Sequence, residues 1–337
     1  MKISYSPYEL KLKYPFSISG YSRTSTPLLL LEIFHEGFTG YGEASMVPYM
    51  GERVETASAF LDKIDPSSLK YPFDYEQITS MLDGIEKGNP AIKAALDIAL
   101  HDLQGKIEQK PCFELLGADK HAMPVTSVTI GIDTPGVIIQ KVKDAAFASV
   151  LKIKLGSADD KALINTIRSV SDKPLYADAN QGWKDRYQAI DMVHWLHEQG
   201  VEIIEQPMAK EDRDGNAWVT ERSPVPILAD EAVQRYADME KIKGAYHGIN
   251  VKLMKSAGMY EAGKMIRRAR ELDMKILIGC MSETSIATLA GAALAPLCDW
   301  ADLDGPFLTA NNPFKDPDFS EGKWVLSEEP GLGLGKR

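Results

Sequence analysis

From about residue 124 the chain repeats one pattern. Short apolar runs, "VTSVTIG", "VLKIKLG", "PLYADAN", "VEIIEQP", "VPILADE", "HGINVKLM", "KILIGCM" and "WADLDGP", alternate with helical spacings of roughly 10 to 20 residues. Strands alternating with helices imply parallel pairing and right-handed crossovers, and eight such units are the repeat of an α/β barrel of the (β/α)8 type. A doubly wound open sheet is the alternative. It calls for an early phosphate loop or switch point, and the sequence contains neither.

The first ~45 residues follow a different rhythm, a β-meander with a turn at Glu36-Gly37. Helical patterns follow at 52–64, 75–86 and 89–106, the last with Asn89 as N-cap, Pro90 in the first turn and Gly105 at the end. The Gly- and Pro-rich tail from 305 is expected to fold back onto the N-terminal region.

Composition narrows the function little. A formal charge of -10 argues against a nucleic-acid or membrane-surface partner, which calls for a basic patch. Cys112, Cys280 and Cys298 are too few and too scattered for a disulfide framework or a zinc site. "MKISYSPYELKLKY" lacks the apolar core of a signal peptide, and "IATLAGAALAPLC" is shorter than the ~20 residues of a membrane helix. A cytoplasmic setting is expected, and a homo-oligomer is left open.

In such barrels, chemistry sits at the C-terminal ends of the strands. The second run carries Lys152 and Lys154, the third Asp178, the fourth Glu205, the fifth Asp230, the sixth Lys252, and the eighth Asp302 and Asp304. From Lys154 to Lys252 the intervals are 24, 27, 25 and 22 residues, about one βα unit each. One charged group per unit thus arrives at the same rim. Read singly, each carboxylate is equally a helix cap or a surface residue. Read together, three converging carboxylates repel unless a cation sits among them. Ligands that are all oxygen favour a hard divalent ion, Mg²⁺ before Mn²⁺ or Ca²⁺. Asn180 and Glu231, each close in sequence to a ligand, are placed to orient it.

Alternate strand residues share a face, so Lys152 and Lys154 emerge side by side. The second and sixth strands are diametrically opposite in a ring of eight, which sets Lys154 and Lys252 on either side of the carboxylates. A lysine is a poor base at its usual pKa of ~10.4, and a neighbouring ammonium lowers that value. Lys152 is therefore expected to make Lys154 basic and to touch a substrate carboxylate. The lesser alternative is that the two lysines merely cap a solvated strand end.

The ordered set "KIKLG", "DANQGW", "IEQP", "ADE" and "NVKLMK", with "AIKAALDIALHDLQGK" and "GYGEA" upstream, resembles the enolase superfamily, muconate-lactonizing subgroup, over essentially the whole chain. The resemblance implies a modified (β/α)7β TIM barrel over 119–305 and an α+β capping domain over 1–118, completed by the tail 306–337. It makes Asp178, Glu205 and Asp230 the Mg²⁺ ligands. Lys154 and Lys252 become the acid/base pair acting on an enediolate.

That subgroup contains dipeptide epimerases, o-succinylbenzoate synthases, N-acylamino acid racemases and cycloisomerases, and "DLDG" discriminates among them. Asp302 and Asp304, across the ring from the metal, call for a cation at the far end of the substrate. They resemble the D-x-D with which family dipeptide epimerases hold an α-ammonium. Arg23, in "SGYSRTST", lies in a loop that covers the site in this family and suits a side-chain carboxylate. Thr129, Cys280, Met281 and Ser282 are further pocket candidates. The implied activity is epimerisation of dipeptides such as L-Ala-D/L-Glu, by two-base 1,1-proton transfer, in the breakdown of cell-wall peptides. The alternatives are an o-succinylbenzoate synthase or N-acylamino acid racemase, and a non-catalytic ligand-binding barrel.

Other patterns carry less. "EDRDGN" lacks the downstream Glu of a calcium loop and reads as a turn, "GLGLG" precedes no helix, and His194 and His197 share a helix face away from the rim.

Overall fold

The computed structural model describes residues 1–18, 21–157 and 159–335. Three strands, β1 (Lys2–Ile18), β2 (Tyr21–His35) and β3 (Phe38–Ser45), form an antiparallel sheet in sequence order. The turn before β3 falls at Glu36 and Gly37, with φ of 47° and 88°. The β1–β2 register slips between Lys11 and Phe16, so Leu12 to Pro15 bulge out of the ladder. Ser19 and Gly20, part of the stretch "SGYSRTST" expected to cover the site, lie outside the described residues.

Behind β3 runs the helix Pro90–Glu108, buried around most of its circumference. A Cβ on Gly42 would stand 1.9 Å from the Ala95 carbonyl oxygen, so only glycine lets strand and helix approach this closely. Two expectations about this helix need correction. Asn89 makes no side-chain cap and sits at φ 50°; the Glu52 carboxylate instead accepts from the amides of Ala91 and Ile92 at 2.8 and 3.2 Å. A carboxylate there satisfies the free N–H groups of the first turn and complements the helix dipole. Gly105 does not stop the helix, which continues to Glu108. It makes room for the tail, whose Gly331 Cα would lie 2.6 Å from a Cβ at that position. The two shorter helices are Val54–Leu61 and Tyr75–Ile85.

All eight predicted barrel strands are present: β4 (Ser127–Ile130), β5 (Val150–Lys154), β6 (Leu175–Asp178), β7 (Val201–Glu205), β8 (Ile227–Ala229), β9 (Gly248–Lys252), β10 (Lys275–Gly279) and β11 (Trp300–Asp302). They pair in parallel in consecutive order, which removes the doubly wound alternative. The ring closes through a bridge between Thr126 and Ala301 and a 2.7 Å bond from the Leu303 amide to the Thr126 hydroxyl. Among the described residues the one helix after β11 is a four-residue turn, Gly305–Leu308, which makes the barrel (β/α)7β. "EDRDGN" is more than a turn: Asp212 caps the helix Arg213–Arg222, accepting from the Gly215 amide at 2.9 Å.

Val150, Tyr176, Ile203, Leu228 and Leu277 form an apolar floor inside the barrel, separate from the larger core outside the strands. The polar residues of the site stand above this floor. The tail touches both parts of the molecule. Gly331 accepts from the Cys112 amide and Leu332 donates to Asp102, while Trp324 donates to the Leu303 carbonyl at 2.8 Å. Arg235, following β8, bonds both Asp83 of the upstream helix and Glu261, tying the meander-and-helix region to the barrel. No helix among the described residues is long and apolar enough to cross a membrane.

Candidate active site

The strand register delivers the charges together. Lys154 on β5 is the register partner of Asp178 on β6, and Asp178 of Glu205 on β7. Asp230 follows β8 directly, and Lys252 ends β9. One ligand oxygen each from Asp178, Glu205 and Asp230 lie within 4.8 Å of one another, and the three carboxylates are 0%, 0% and 4% exposed. Three buried carboxylates this close, offering only oxygen, suit a hard divalent cation.

Each carboxylate faces an ammonium. Lys154 Nζ is 2.6 Å from Asp178 Oδ2, Lys252 Nζ 2.8 Å from Asp230 Oδ2, and Lys152 Nζ 2.5 Å from Glu205 Oε1. Burial opposes ionisation of Asp178 and Asp230, but Lys154 and Lys152 hold the first below the usual carboxylate range, and Lys252 and Lys255 hold the second well below it. For Glu205 burial outweighs Lys152, and its pKa is raised. Despite burial, Asp230 holds Lys252 protonated well above the usual lysine range.

Lys152 is not the bare cation beside Lys154 that the sequence suggests. Besides Glu205 it pairs with Asp302 at 2.7 Å, with Asp178 at 3.6 Å. Against burial, those carboxylates raise its pKa well above the ordinary value. Its charge is balanced by them.

The two aspartates of "DLDG" differ in setting. Asp302 ends β11 and accepts from Ser127 Oγ and Lys152 Nζ, each at 2.7 Å, so one ammonium joins it to the triad. Asp304 lies beyond the strand, accepts from the Thr129 amide at 2.7 Å, and has Cys280 Sγ 3.6 Å away. Burial and the neighbouring Asp302 push its carboxyl up to about 6.

Arg23 comes from the sheet region and reaches Ser282, donating from Nη2 to Oγ at 2.7 Å. Its guanidinium stands 5.2 Å from the Phe16 ring centroid, and Lys154 Nζ lies 5.8 Å from the same ring. Ser45 fixes this segment by donating to the Ser282 carbonyl at 2.7 Å. Asn180 orients Asp178 through its amide, at 3.0 Å from Oδ1, and its side chain is 3.4 Å from Glu231. Burial and Asp230 raise the Glu231 carboxyl to about 7. A cavity of about 360 Å³ is lined by Lys154, Lys252 and Asp230, and also by Arg23, Thr129, Asn180, Glu231, Cys280, Met281, Ser282, Asp302 and Asp304. Every expected site residue other than the buried Lys152, Asp178 and Glu205 thus faces one space. His194 and His197 are exposed on the helix Arg186–Glu198.

Among the site residues not singled out from the sequence are Lys255, Asn250 and Phe16. Lys255 donates to Asp230 Oδ1 at 2.6 Å; its signal was the K-x-x-K of "NVKLMK", because one helical turn after β9 returns it to the same face. Asn250 donates to Glu205 Oε2 at 2.7 Å and lies two residues before Lys252, on the same strand face. Phe16 had no signal, since only the β1–β2 register brings it opposite Arg23.

Fold and site together define a capped (β/α)7β barrel whose strand ends carry a carboxylate triad flanked by lysines. The chain belongs to the mandelate racemase/muconate lactonizing enzyme family of the enolase superfamily. The model of that family's N-terminal domain matches residues 3–117, and the enolase C-terminal domain-like model matches residues 138–335. Among similar proteins, the L-Ala-D/L-Glu epimerase of Bacteroides thetaiotaomicron is 50% identical, over 100% of this chain and 88% of the relative. The dipeptide epimerase of Enterococcus faecalis, solved with Mg and L-Leu-L-Tyr, is 34% identical with a TM-score of 0.89, over 99% of this chain and 98% of the other. An N-succinyl Arg/Lys racemase from Bacillus cereus has a TM-score of 0.91 at 27% identity, covering 100% and 96%. The backbone alone therefore does not separate these activities.

Proposed function

We propose that this protein is a Mg²⁺-dependent epimerase of dipeptides, L-Ala-D/L-Glu among them, inverting the α-carbon of the C-terminal residue. The observation that carries the reading is the set of groups around one cavity: Lys154 and Lys252 on strands four apart in the ring, the triad between them, and Asp304 beyond. Asp178, Glu205 and Asp230 would hold the ion. When bound, it supplies positive charge to stabilise the carboxylate side of a substrate that has lost its α-proton. Lys154 and Lys252 reach the α-carbon from opposite faces, one removing the proton and the other returning one.

Asp304, with Asp302 behind it, supplies negative charge for the substrate's α-ammonium. Arg23 and Ser282 stand where a side-chain carboxylate would be received. An N-acyl or succinyl substrate lacks that ammonium, which disfavours the racemase and synthase alternatives. The names and complexes of the similar epimerases support the same choice. Residues 1–118 with 306–337 serve as the cap and 119–305 as the barrel, in a cytoplasmic enzyme.

The test follows L-Ala-L-Glu in D₂O by optical rotation and by NMR of the α-proton, before and after chelation and with Mg²⁺ restored. Epimerisation with solvent exchange, lost on chelation and regained with Mg²⁺, is expected. Undiminished turnover in the metal-free protein sinks the metal assignment. Turnover of N-succinylamino acids with none of dipeptides sinks the substrate class.

A further inference from the structure

The cavity at the strand ends has a neighbour. A second cavity, of about 410 Å³, lies between the β1 bulge, the helix Pro135–Asp144 and the turn at Phe307 and Leu308. The bulge makes the room, because Leu12 to Pro15 leave the ladder with β2 and become one wall. The two cavities share Phe16, Thr129 and Leu308. Thr129 is also the residue whose amide donates to Asp304. An ammonium held by Asp304 therefore lies beside the common wall, and a side chain on the same carbon is within reach of it.

The second cavity is lined largely by apolar groups, among them Leu12, Val128, Ile130, Ala145 and Phe147. Three charged groups border it: Lys13, exposed on the bulge, and Lys141 and Asp144, which have partners. Lys141 Nζ is 3.0 Å from Asp133 Oδ2, and the Tyr14 hydroxyl donates to Asp144 at 2.5 Å. The space offers mainly apolar surface to an incoming group, with the Lys13 ammonium at its exposed side.

We propose that this cavity is the subsite for the side chain of the substrate's first residue, and that it admits leucine- and phenylalanine-sized groups when Phe16 and Leu308 turn aside. The proposal rests on the dipeptide reading above and assigns its breadth at the first position. That breadth is set by β1 and the first barrel helix, outside the ring of strand-end residues.

The experiment compares kcat/KM for L-Ala-L-Glu, L-Leu-L-Glu and L-Phe-L-Glu in the wild type, Leu12→Trp and Ala145→Leu. The wild type is expected to accept all three within about tenfold, and each cavity-filling variant to lose about tenfold or more on the larger two while keeping L-Ala-L-Glu. Turnover of L-Ala-L-Glu reports that a variant is folded. Should Ala145→Leu not fold, Leu12→Trp, half-buried on the bulge, carries the comparison. Rejection of L-Leu-L-Glu and L-Phe-L-Glu by the wild type at more than about a hundredfold overturns the proposal, as does an equal loss on all three substrates in the variants. If L-Ala-L-Glu itself is not epimerised by the wild type, the dipeptide reading fails first and this subsite falls with it.

Discussion

Lys152 and Asp302 sit on strands separated by β4 in the barrel ring, yet their side chains meet at 2.7 Å, and the same ammonium is 2.5 Å from Glu205. One buried cation thus links the triad to the end of the cavity where the substrate's ammonium is proposed to bind. Lys152 is 1% exposed, so its charge depends on these carboxylates rather than on water. The D-x-D is thereby divided in role: Asp302 holds Lys152, and Asp304 borders the cavity with the Thr129 amide and hydroxyl and the Cys280 thiol against it.

That division predicts different costs for the two amides. Asp304→Asn should lower kcat/KM for dipeptides by about one to two decades, as expected from ~1–3 kcal/mol for a charged hydrogen bond, with the melting temperature little changed. Asp302→Asn should also destabilise the fold, by about 3 kcal/mol, because Lys152 loses a buried counter-charge. Thermal melts alongside kcat/KM for free and N-acetylated L-Ala-L-Glu separate the two roles. If the wild type epimerises the acetylated peptide as fast as the free one, an N-acylamino acid racemase is the better reading.

The two lysines should be specific to the faces they serve. Lys154→Ala should stop exchange of the α-proton of one epimer with deuterium, and Lys252→Ala that of the other, by about three decades or more each. Proton NMR of L-Ala-L-Glu and L-Ala-D-Glu in D₂O reads both. A single variant that still exchanges both epimers at similar rates would mean that one lysine serves both faces.

Much of this site was legible in the sequence, for a geometric reason. A parallel barrel repeats one unit, so a charge at each strand end recurs at nearly constant spacing and reaches one rim; the register of Lys154, Asp178 and Glu205 reflects that regularity. What the sequence hid were contacts between non-repeating parts. Phe16 reaches the site only through a bulged register, and Asn89 yields its capping role to Glu52, a residue far away in sequence. The pairing of Lys152 is hidden for a similar reason: strand alternation shows which side chains are neighbours on one strand. It does not show the carboxylates that reach Lys152 from β7 and β11, each two strands away in the ring.

Arg23 joins the hairpin region to the barrel, through Ser282 Oγ at 2.7 Å, at the edge where a side-chain carboxylate would enter. Arg23→Met should lower kcat/KM for L-Ala-L-Glu by about one to two decades and leave L-Ala-L-Leu within about threefold. The measurement is the ratio of the two specificity constants in variant and wild type. An equal fall on both substrates would assign Arg23 to holding the hairpin in place instead of reading the side chain.

The last prediction concerns two carboxyls that no step of the proposed reaction uses. Glu43 accepts from the Thr284 amide and hydroxyl, and Glu283 accepts from the Met281 amide at 2.9 Å; both are buried, 0% and 2% exposed. Burial pushes Glu43 up to about 7. Burial and then the nearby Glu43 push Glu283 up to about 8. In the unfolded chain both titrate near ~4.3. Between those values the folded protein binds more protons than the unfolded one, so stability falls as pH rises. The contribution is complete below the unfolded value and is lost as pH rises through about 7 for Glu43 and about 8 for Glu283. Each carboxyl contributes a slope of up to about 1.4 kcal/mol per pH unit across its window. Urea midpoints measured from pH 5.5 to 8.5 should therefore decline. Glu283→Gln, which stays neutral and can still accept from the Met281 amide, should flatten the upper part of that decline. A variant whose stability falls with pH as steeply as the wild type's would show that Glu283 is already ionised in the folded protein at neutral pH.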